Sequence, residues 1–386
     1  MGLFSKPDVS YLGVDIGARG IKLVELRKNK GRPQLWTYGI LDEPLQIHAT
    51  DVSIDTSASG VSQTEFLGIT TDSGKKKKSS DIDRLLTSEQ KEQAVEYGRL
   101  LKTLAEKSRV TTHRATASLP VSAIFHAVLT FPVVPEKEVP IIVEAEVKKL
   151  SNRPVEELQI VHQVIPAPAG DTNYMRVLVT AAPRTLVAFY TSLFHHAGLQ
   201  LQELETEAFA LERSLVGRDT TTAMIVDVGA ERTNFFIIDG GLPMTHRSVQ
   251  FGGANIDAVL ESILSIDGKK IDQVKADLGH VANGVLDHAP FMDILDVIAK
   301  EIQYSFDLFL NQMGNQEKRP EKIILTGGAA LFPVIKEELE RRFAMKVFIG
   351  DPWARVVYQQ ELKPLLSDIG PRMSASIGLA LRNIVS

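Results

Sequence analysis

The chain has no cysteine among its 386 residues, which excludes a disulfide framework and thiolate metal sites. It has no run of about 18 apolar residues, so no membrane-spanning helix is expected, and no apolar secretory core stands near the N-terminus. It also lacks an excess of positive charge: the net charge is −5, which argues against a nucleic-acid-binding surface. With 44% hydrophobic and 24% charged residues, the composition is that of a globular chain long enough for two domains with buried cores.

Three glycine-bearing turns, each closing an apolar run, carry the chemistry. They read Tyr11-Leu-Gly-Val-Asp-Ile-Gly-Ala-Arg-Gly-Ile-Lys22, Met224-Ile-Val-Asp-Val-Gly-Ala-Glu-Arg-Thr233 and Ile323-Ile-Leu-Thr-Gly-Gly-Ala-Ala330. In the first two an apolar strand delivers Asp-x-Gly, at Asp15 and Asp227, and a second extended segment follows at once. That is a hairpin, not the strand-to-helix turn of a Walker or Rossmann loop. Glycine lets backbone N–H groups approach phosphate oxygens, whereas a carboxylate at the strand end meets phosphate only through a cation. A nucleotide with Mg²⁺ satisfies both demands, although each turn alone is also what a plain tight turn looks like.

The periodicity predicts strands near Tyr11–Asp15, Ile21–Arg27 and Gln34–Leu41, then a Ser-, Thr- and Lys-rich insertion ending in Gly74-Lys-Lys-Lys-Lys-Ser-Ser80. Helical spacing of Ala94, Tyr97, Leu101 and Leu104 predicts a helix over Ser88–Lys107. A compact α+β pattern fills residues 122–198, and a second hairpin with a third strand opens near Thr221. Ile256, Val259, Leu260 and Ile263 then mark one helix, residues 285–313 a longer one, and Lys322–Leu325 the strand before Gly327. Each half thus repeats a three-strand meander followed by alternating helices and strands.

The order and spacing of the three turns resemble the actin-like ATPases, and within them the PilM family of type IV pilus assembly proteins, related to the division protein FtsA. Ile21-Lys-Leu-Val-Glu-Leu26, Glu207-Ala-Phe-Ala210, Gly252-Gly253, Val274-Lys275-Ala-Asp277-Leu-Gly279, Gly350-Asp-Pro352 and Ser376-Ile-Gly-Leu-Ala-Leu-Arg382 carry the closer likeness. The resemblance implies an α/β, two-lobed actin-like fold (a duplicated ribonuclease-H-like unit) with a small α+β inserted subdomain like the one called 1C. The implied division is first lobe at 1–44 and 87–121, interrupted at 45–86 by an insertion that departs from the family pattern and whose composition marks it as disordered, then subdomain 1C at 122–198 and a connecting helix at 199–220. The second lobe follows at 221–253 and 320–370, with subdomain 2B at 254–319 and a C-terminal helix at 371–386 returning to the first lobe.

The resemblance also implies ATP and Mg²⁺ as cofactors. Asp15 and Asp227 would bracket Mg²⁺, mostly through water. Gly17, Ala18, Arg19 and Lys22 would form the first phosphate loop, Gly229, Ala230 and Thr233 the second, and Gly253 would stand nearby. Lys275 and Asp277 would meet the ribose, and Gly327, Gly328 and Ala329 would lie beside adenine and α-phosphate. Glu207, with Asp15 and Asp227, would be catalytic by polarising the attacking water; a carboxylate at a helix start is equally ordinary dipole compensation. Arg19 and Glu231 depart from the usual loops, so at most slow hydrolysis is expected. The implied partners are the N-terminal cytoplasmic tail of PilN and other inner-membrane and motor components of the pilus, with self-association open. The implied location is cytoplasmic, at the inner face of the inner membrane through partners. An FtsA-like filament protein and a small-molecule kinase of the same superfamily are the alternative readings.

Overall fold

In the computed structural model, residues 9–46, 69–70, 83–165, 173–266, 270–279, 284–312 and 315–385 are described. The first turn becomes an antiparallel meander of β1 (Ser10–Gly17), β2 (Gly20–Asn29) and β3 (Arg32–Leu41). Gly20 sits at φ +113, and a Cβ there would lie 1.8 Å from the Leu41 carbonyl oxygen, so the exit of this tight turn requires glycine. Apart from 45–46, 69–70 and 83–86, the insertion expected over 45–86 lies outside the described residues, as do Lys75 to Lys78. Its strand β4 (Ile69–Thr70) pairs with an edge of the first sheet.

Helix α1 (Ser88–Lys107) begins in a capping box: the Thr87 hydroxyl accepts from the Gln90 N–H, and the Gln90 side chain accepts from the Thr87 N–H. Its stripe of Ala94, Tyr97, Leu101 and Leu104 is buried. β5 (Arg114–Leu119) then runs parallel beside β1. The chain leaves this lobe to build a small unit of β6 (Phe125–Pro132), α2 (Val139–Leu150), β7 (Leu158–Ile165) and β8 (Tyr174–Pro183). Its strands are antiparallel in the order β6-β8-β7, and Val139, Val143 and Val147 lay α2 on one face. The return is through α3 (Arg184–His196), which packs on α1, to β9 (Gln200–Thr206), parallel to β5.

Residues 199–220, expected as a connecting helix, therefore open with a strand. Exposed Gln200, buried Leu201 and exposed Gln202 show the strand period that decides it. Only then does the chain turn helical, as α4 (Glu207–Leu211) running into a π-turn over Glu212–Val216.

The second lobe repeats the plan with β10 (Ala223–Val228), β11 (Thr233–Asp239) and β12 (Leu242–Val249). Helices α5 (Gly253–Leu264), α6 (Ile271–Gly279) and α7 (Met292–Leu310) follow, then β13 (Lys322–Thr326), α8 (Pro333–Phe343) and β14 (Lys346–Ile349). Its sheet runs β12-β11-β10-β13-β14. The last helix, α9 (Lys363–Leu381), starts at Lys363, not near residue 371, and continues through Pro371. A proline inside a helix costs about 3 kcal/mol in isolation. Here the helix is held by tertiary packing, with Leu366, Met373, Ile377 and Leu381 buried.

Strand alternation sorts the core into layers. Leu12, Val14, Ile16, Ile21 and Leu23 face α1 and α3, whereas Val24 and Leu26 face α9 and Trp353. In the second lobe Met224, Val226, Phe235 and Ile237 face α5, α7 and α8, while Ile225, Phe236 and Ile238 face α4. Helices α4 and α9 thus form a shared layer between the two sheets. Backbones touch there: a Cβ on Gly13 would lie 2.0 Å from the Ser376 oxygen, and one on Gly378 would lie 1.8 Å from the Ala210 oxygen. The layer also buries an ion pair. Arg213, 3% exposed, donates to the Glu205 carboxylate at 2.8 and 3.0 Å and to the Gly378 carbonyl at 2.5 Å, and Arg382 shares Glu205. Replacing Gly378 with Ala forces α4 and α9 apart, so thermal or urea denaturation of that variant should show a loss of about 1–3 kcal/mol.

Candidate functional site

The same alternation aims the two aspartates. Asp15 shares its face of β1 with Gly13, which touches α9, and Asp227 shares its face of β10 with Ala223 and Ile225, which pack on the α4 layer. Both carboxylates therefore look into the space between the sheets, near the C-terminal ends of β1 and β10. The register supplies each with a partner on the returning strand, Lys22 opposite Asp15 and Asn234 opposite Asp227.

Lys22 Nζ lies 3.6 Å from Asp15, and the Ser118 hydroxyl of β5 donates to Asp15 at 3.2 Å. Asn234 donates to Glu207, the first residue of α4, at 3.2 Å and also hydrogen-bonds Asp227. Burial and the charge of Asp15 push the Asp227 carboxyl up to about 6, with Asn234 and Lys22 acting in the opposite sense. Burial raises Glu207 well above the usual carboxylate range, and Asp15 and Asp227 add to that, against the Val121 N–H and Lys22. The cleft floor is thus acidic beyond what Lys22 neutralises, which fits a hard cation. Among the described residues no three His, Asp or Glu side chains converge closely enough to cage a metal directly. Such a donor set suits an ion that keeps its own water, as Mg²⁺ does.

The third glycine turn closes over this floor. Gly327 sits at φ +90, and a Cβ there would fall 2.5 Å from both Asp227 Oδ1 and the Val228 carbonyl oxygen, so only glycine fits. Ala329 N–H donates to the Val228 carbonyl at 3.2 Å. Gly253 and Ala254, at the start of α5, donate to the Gly229 and Ala230 carbonyls at 2.8 and 2.9 Å. In the first hairpin, a Cβ on Gly17 would lie 3.1 Å from Lys22 Nζ, so the bare backbone leaves that ammonium room. Gly328 is not demanded by crowding, since its nearest neighbour, Arg372, would stand 3.8 Å from an added Cβ.

Several expected site residues are placed differently. Thr233 is fully buried and its hydroxyl donates to the Phe251 carbonyl at 2.7 Å, which takes it out of reach as a phosphate donor. The Gly229 N–H donates to the Arg232 carbonyl at 2.9 Å and closes its own turn. Lys275 and Asp277 do not act as a pair, because residues two apart on a helix point to different sides. Lys275 turns to Asp257 of α5 at 2.6 Å, whereas Asp277 is exposed and accepts from the Gln273 amide at 2.9 Å. Glu231 is exposed. Arg19 reaches across to Asp257 at 3.4 Å. Three residues of the site were missed. Asn234 was legible as the residue opposite Asp227 in a two-strand register, whereas Ser118 and Asp257 are brought in by other elements and carry no local signal.

Two meander-based lobes that close on an acid-lined cleft, with a shared helical layer behind it, define the actin-like fold. Solved structures agree. The chain is similar to a protein of a PilM–PilN type IV pilus biogenesis complex, at 20% identity and a TM-score of 0.72, over 98% of this chain and 99% of that one. It is also similar to the ethanolamine utilization protein EutJ of Carboxydothermus hydrogenoformans, at 16% identity and a TM-score of 0.51, over 97% and 90%. The model of the family described as type IV pilus assembly protein PilM matches residues 81–384, most of the chain. The chain belongs to that family.

The raised Asp227 carboxyl makes stability depend on pH in a definite sense. The folded protein keeps a proton up to about 6 that the unfolded chain releases near 3.8, so raising pH through this window destabilises the metal-free fold. Asp227→Asn removes the repulsion. At pH 7 without Mg²⁺ it should be more stable than the parent to urea, by on the order of 3 kcal/mol at most, and the gap should close at pH 4.

Proposed function

We propose that this chain is an ATP-dependent scaffold of the type IV pilus assembly platform, which binds ATP with Mg²⁺ in the cleft and the N-terminal cytoplasmic tail of a PilN-type partner on its first lobe. One observation carries the nucleotide half: two Asp-x-Gly hairpins from different sheets face each other over an under-neutralised acid cluster, beside Lys22. The solved relative described as a PilM–PilN complex supports the partner half.

In this reading Asp15 and Asp227 hold the cation through its water shell and Lys22 meets the phosphates. The flat backbone at Gly327 to Ala329 lies beside the adenosine, and Lys275 stands at the ribose side. Bound Mg²⁺ would supply the positive charge that lets triphosphate and carboxylates share one cleft. Glu207 keeps its proton while the acid pair is unneutralised and becomes able to accept one from water once it is. Thr233 and the Gly229 N–H are already hydrogen-bonded inside the protein, which favours a slow switch over fast turnover.

The inserted sheet is where a change in the cleft would be felt. Its Val128, Ile165 and Leu178 pack on Phe209, two residues beyond Glu207 on α4. Its His126 packs against His246 of β12 with the rings tilted and their centres 5.3 Å apart, so the insert touches both lobes. Burial holds His126 at about 4 and His246 at about 3, which keeps this seam uncharged at neutral pH. Among the described residues no helix is long and apolar enough to cross a membrane, and the reading places the chain at the membrane through its partner.

Titration of the protein with a synthetic PilN tail peptide, with and without Mg-ATP, tests both halves. The peptide should bind in both conditions, with affinities that differ by the ratio of nucleotide affinities of the open and closed lobes, about 1.4 kcal/mol per tenfold. No binding in either condition ends the scaffold reading, and equal binding ends the coupling.

A further inference from the structure

Arg19 and Asp257 stand on opposite sides of the cleft mouth. Arg19 is on the β1–β2 turn of the first lobe, and Asp257 is in the first half of α5 in the second. Arg19 Nη1 lies 3.4 Å from one Asp257 oxygen, and Lys275 Nζ of α6 lies 2.6 Å from the other. The three differ sharply in exposure: the side chains of Asp257 and Lys275 are 11% and 14% exposed, that of Arg19 is 47%. The carboxylate therefore has a sheltered cation from its own lobe, and the bond that crosses the cleft is the longer and wetter of the two.

A half-exposed ion pair is weak, because water and salt screen it. A guanidinium binds a phosphate through parallel, charge-assisted hydrogen bonds, and a carboxylate already held by a lysine competes poorly with a polyphosphate for it. The turn that carries Arg19 is the one that also carries Gly17 and leads into Lys22, at the floor of the cleft.

We propose that Arg19 is a two-position latch: in the empty protein it ties the first lobe to Asp257, and when nucleotide binds it turns to the polyphosphate and leaves Asp257 to Lys275. This rests on the nucleotide reading of the cleft. It makes Arg19 a residue that favours di- and triphosphates over monophosphates, and it makes Asp257 a competitor of the ligand.

The two ends of the latch then act in opposite directions, which a merely structural pair would not do. Arg19→Ala should weaken binding of a fluorescent ATP analogue by about fivefold and leave the AMP analogue nearly unchanged, whereas Asp257→Asn should tighten ATP by a similar factor. In the Arg19→Ala background the Asp257→Asn gain should vanish. Because the chain has no cysteine, Glu92→Cys on α1 and Ser262→Cys on α5 give a unique spin-label pair across the lobes. In the nucleotide-free protein Arg19→Ala should lengthen or broaden that distance. Arg19→Lys, which keeps a cation within reach of Asp257 but lacks the planar fork for phosphate, should keep the parent distance while losing part of the ATP affinity, which also covers a single variant that folds poorly. Weaker ATP binding in Asp257→Asn, or unchanged label distances in Arg19→Ala, overturns the latch. If the parent protein binds no ATP, the cleft reading fails and the handover with it, while the label distances still decide the tie in the empty protein.

Discussion

The structure depends on holding like charges close together. Asp15 and Asp227 lie on facing sides of two sheets, with Glu207 between them, and only Lys22 and Asn234 stand directly opposite the aspartates on the returning strands. Left to electrostatics, the lobes would part at this point. They are held by the layer behind the cleft, where glycines at 13 and 378 let strand, α4 and α9 meet backbone to backbone, and where the Arg213–Glu205 pair is fully enclosed. The fold thus keeps an acidic floor in place at some expense in stability.

The inserted sheet gives this tension a way outward. Through His126, whose ring lies against both Phe209 and His246, it bridges the helix that carries Glu207 and the edge strand of the second lobe. A unit packed on both lobes cannot stay indifferent to their separation, since packed interfaces shift in discrete steps and do not stretch.

Much of this was readable one segment at a time. Helix α1 was legible to the residue because its stripe and its cap are both local, and so were the two hairpins, whose Asp-x-Gly corners and alternation repeat in each half. Errors arose where tertiary packing overrode a local cue. The strand β9 was missed although its residues alternate, because β5, the strand that pairs with it, comes from a distant part of the chain beyond the inserted unit. The start of α9 was misplaced because Pro371 reads as a boundary, and only burial between two sheets carries the helix through it. Thr233 looked like a phosphate donor until the Phe251 carbonyl was found beside it, and Asp277 looked like the partner of Lys275 until helical rotation separated them.

The sequence by itself determined the things that depend on near neighbours: the period of each strand and helix, the glycines that tight turns require, and the family likeness carried by three spaced turns. Which distant residues meet around the cleft was decided only by the tertiary structure. Arg19 with Asp257, Ser118 with Asp15 and Asn234 with Glu207 are separated in the chain by tens to hundreds of residues. No local pattern encodes such a meeting; it follows from the register of two sheets and the thickness of the helices between them.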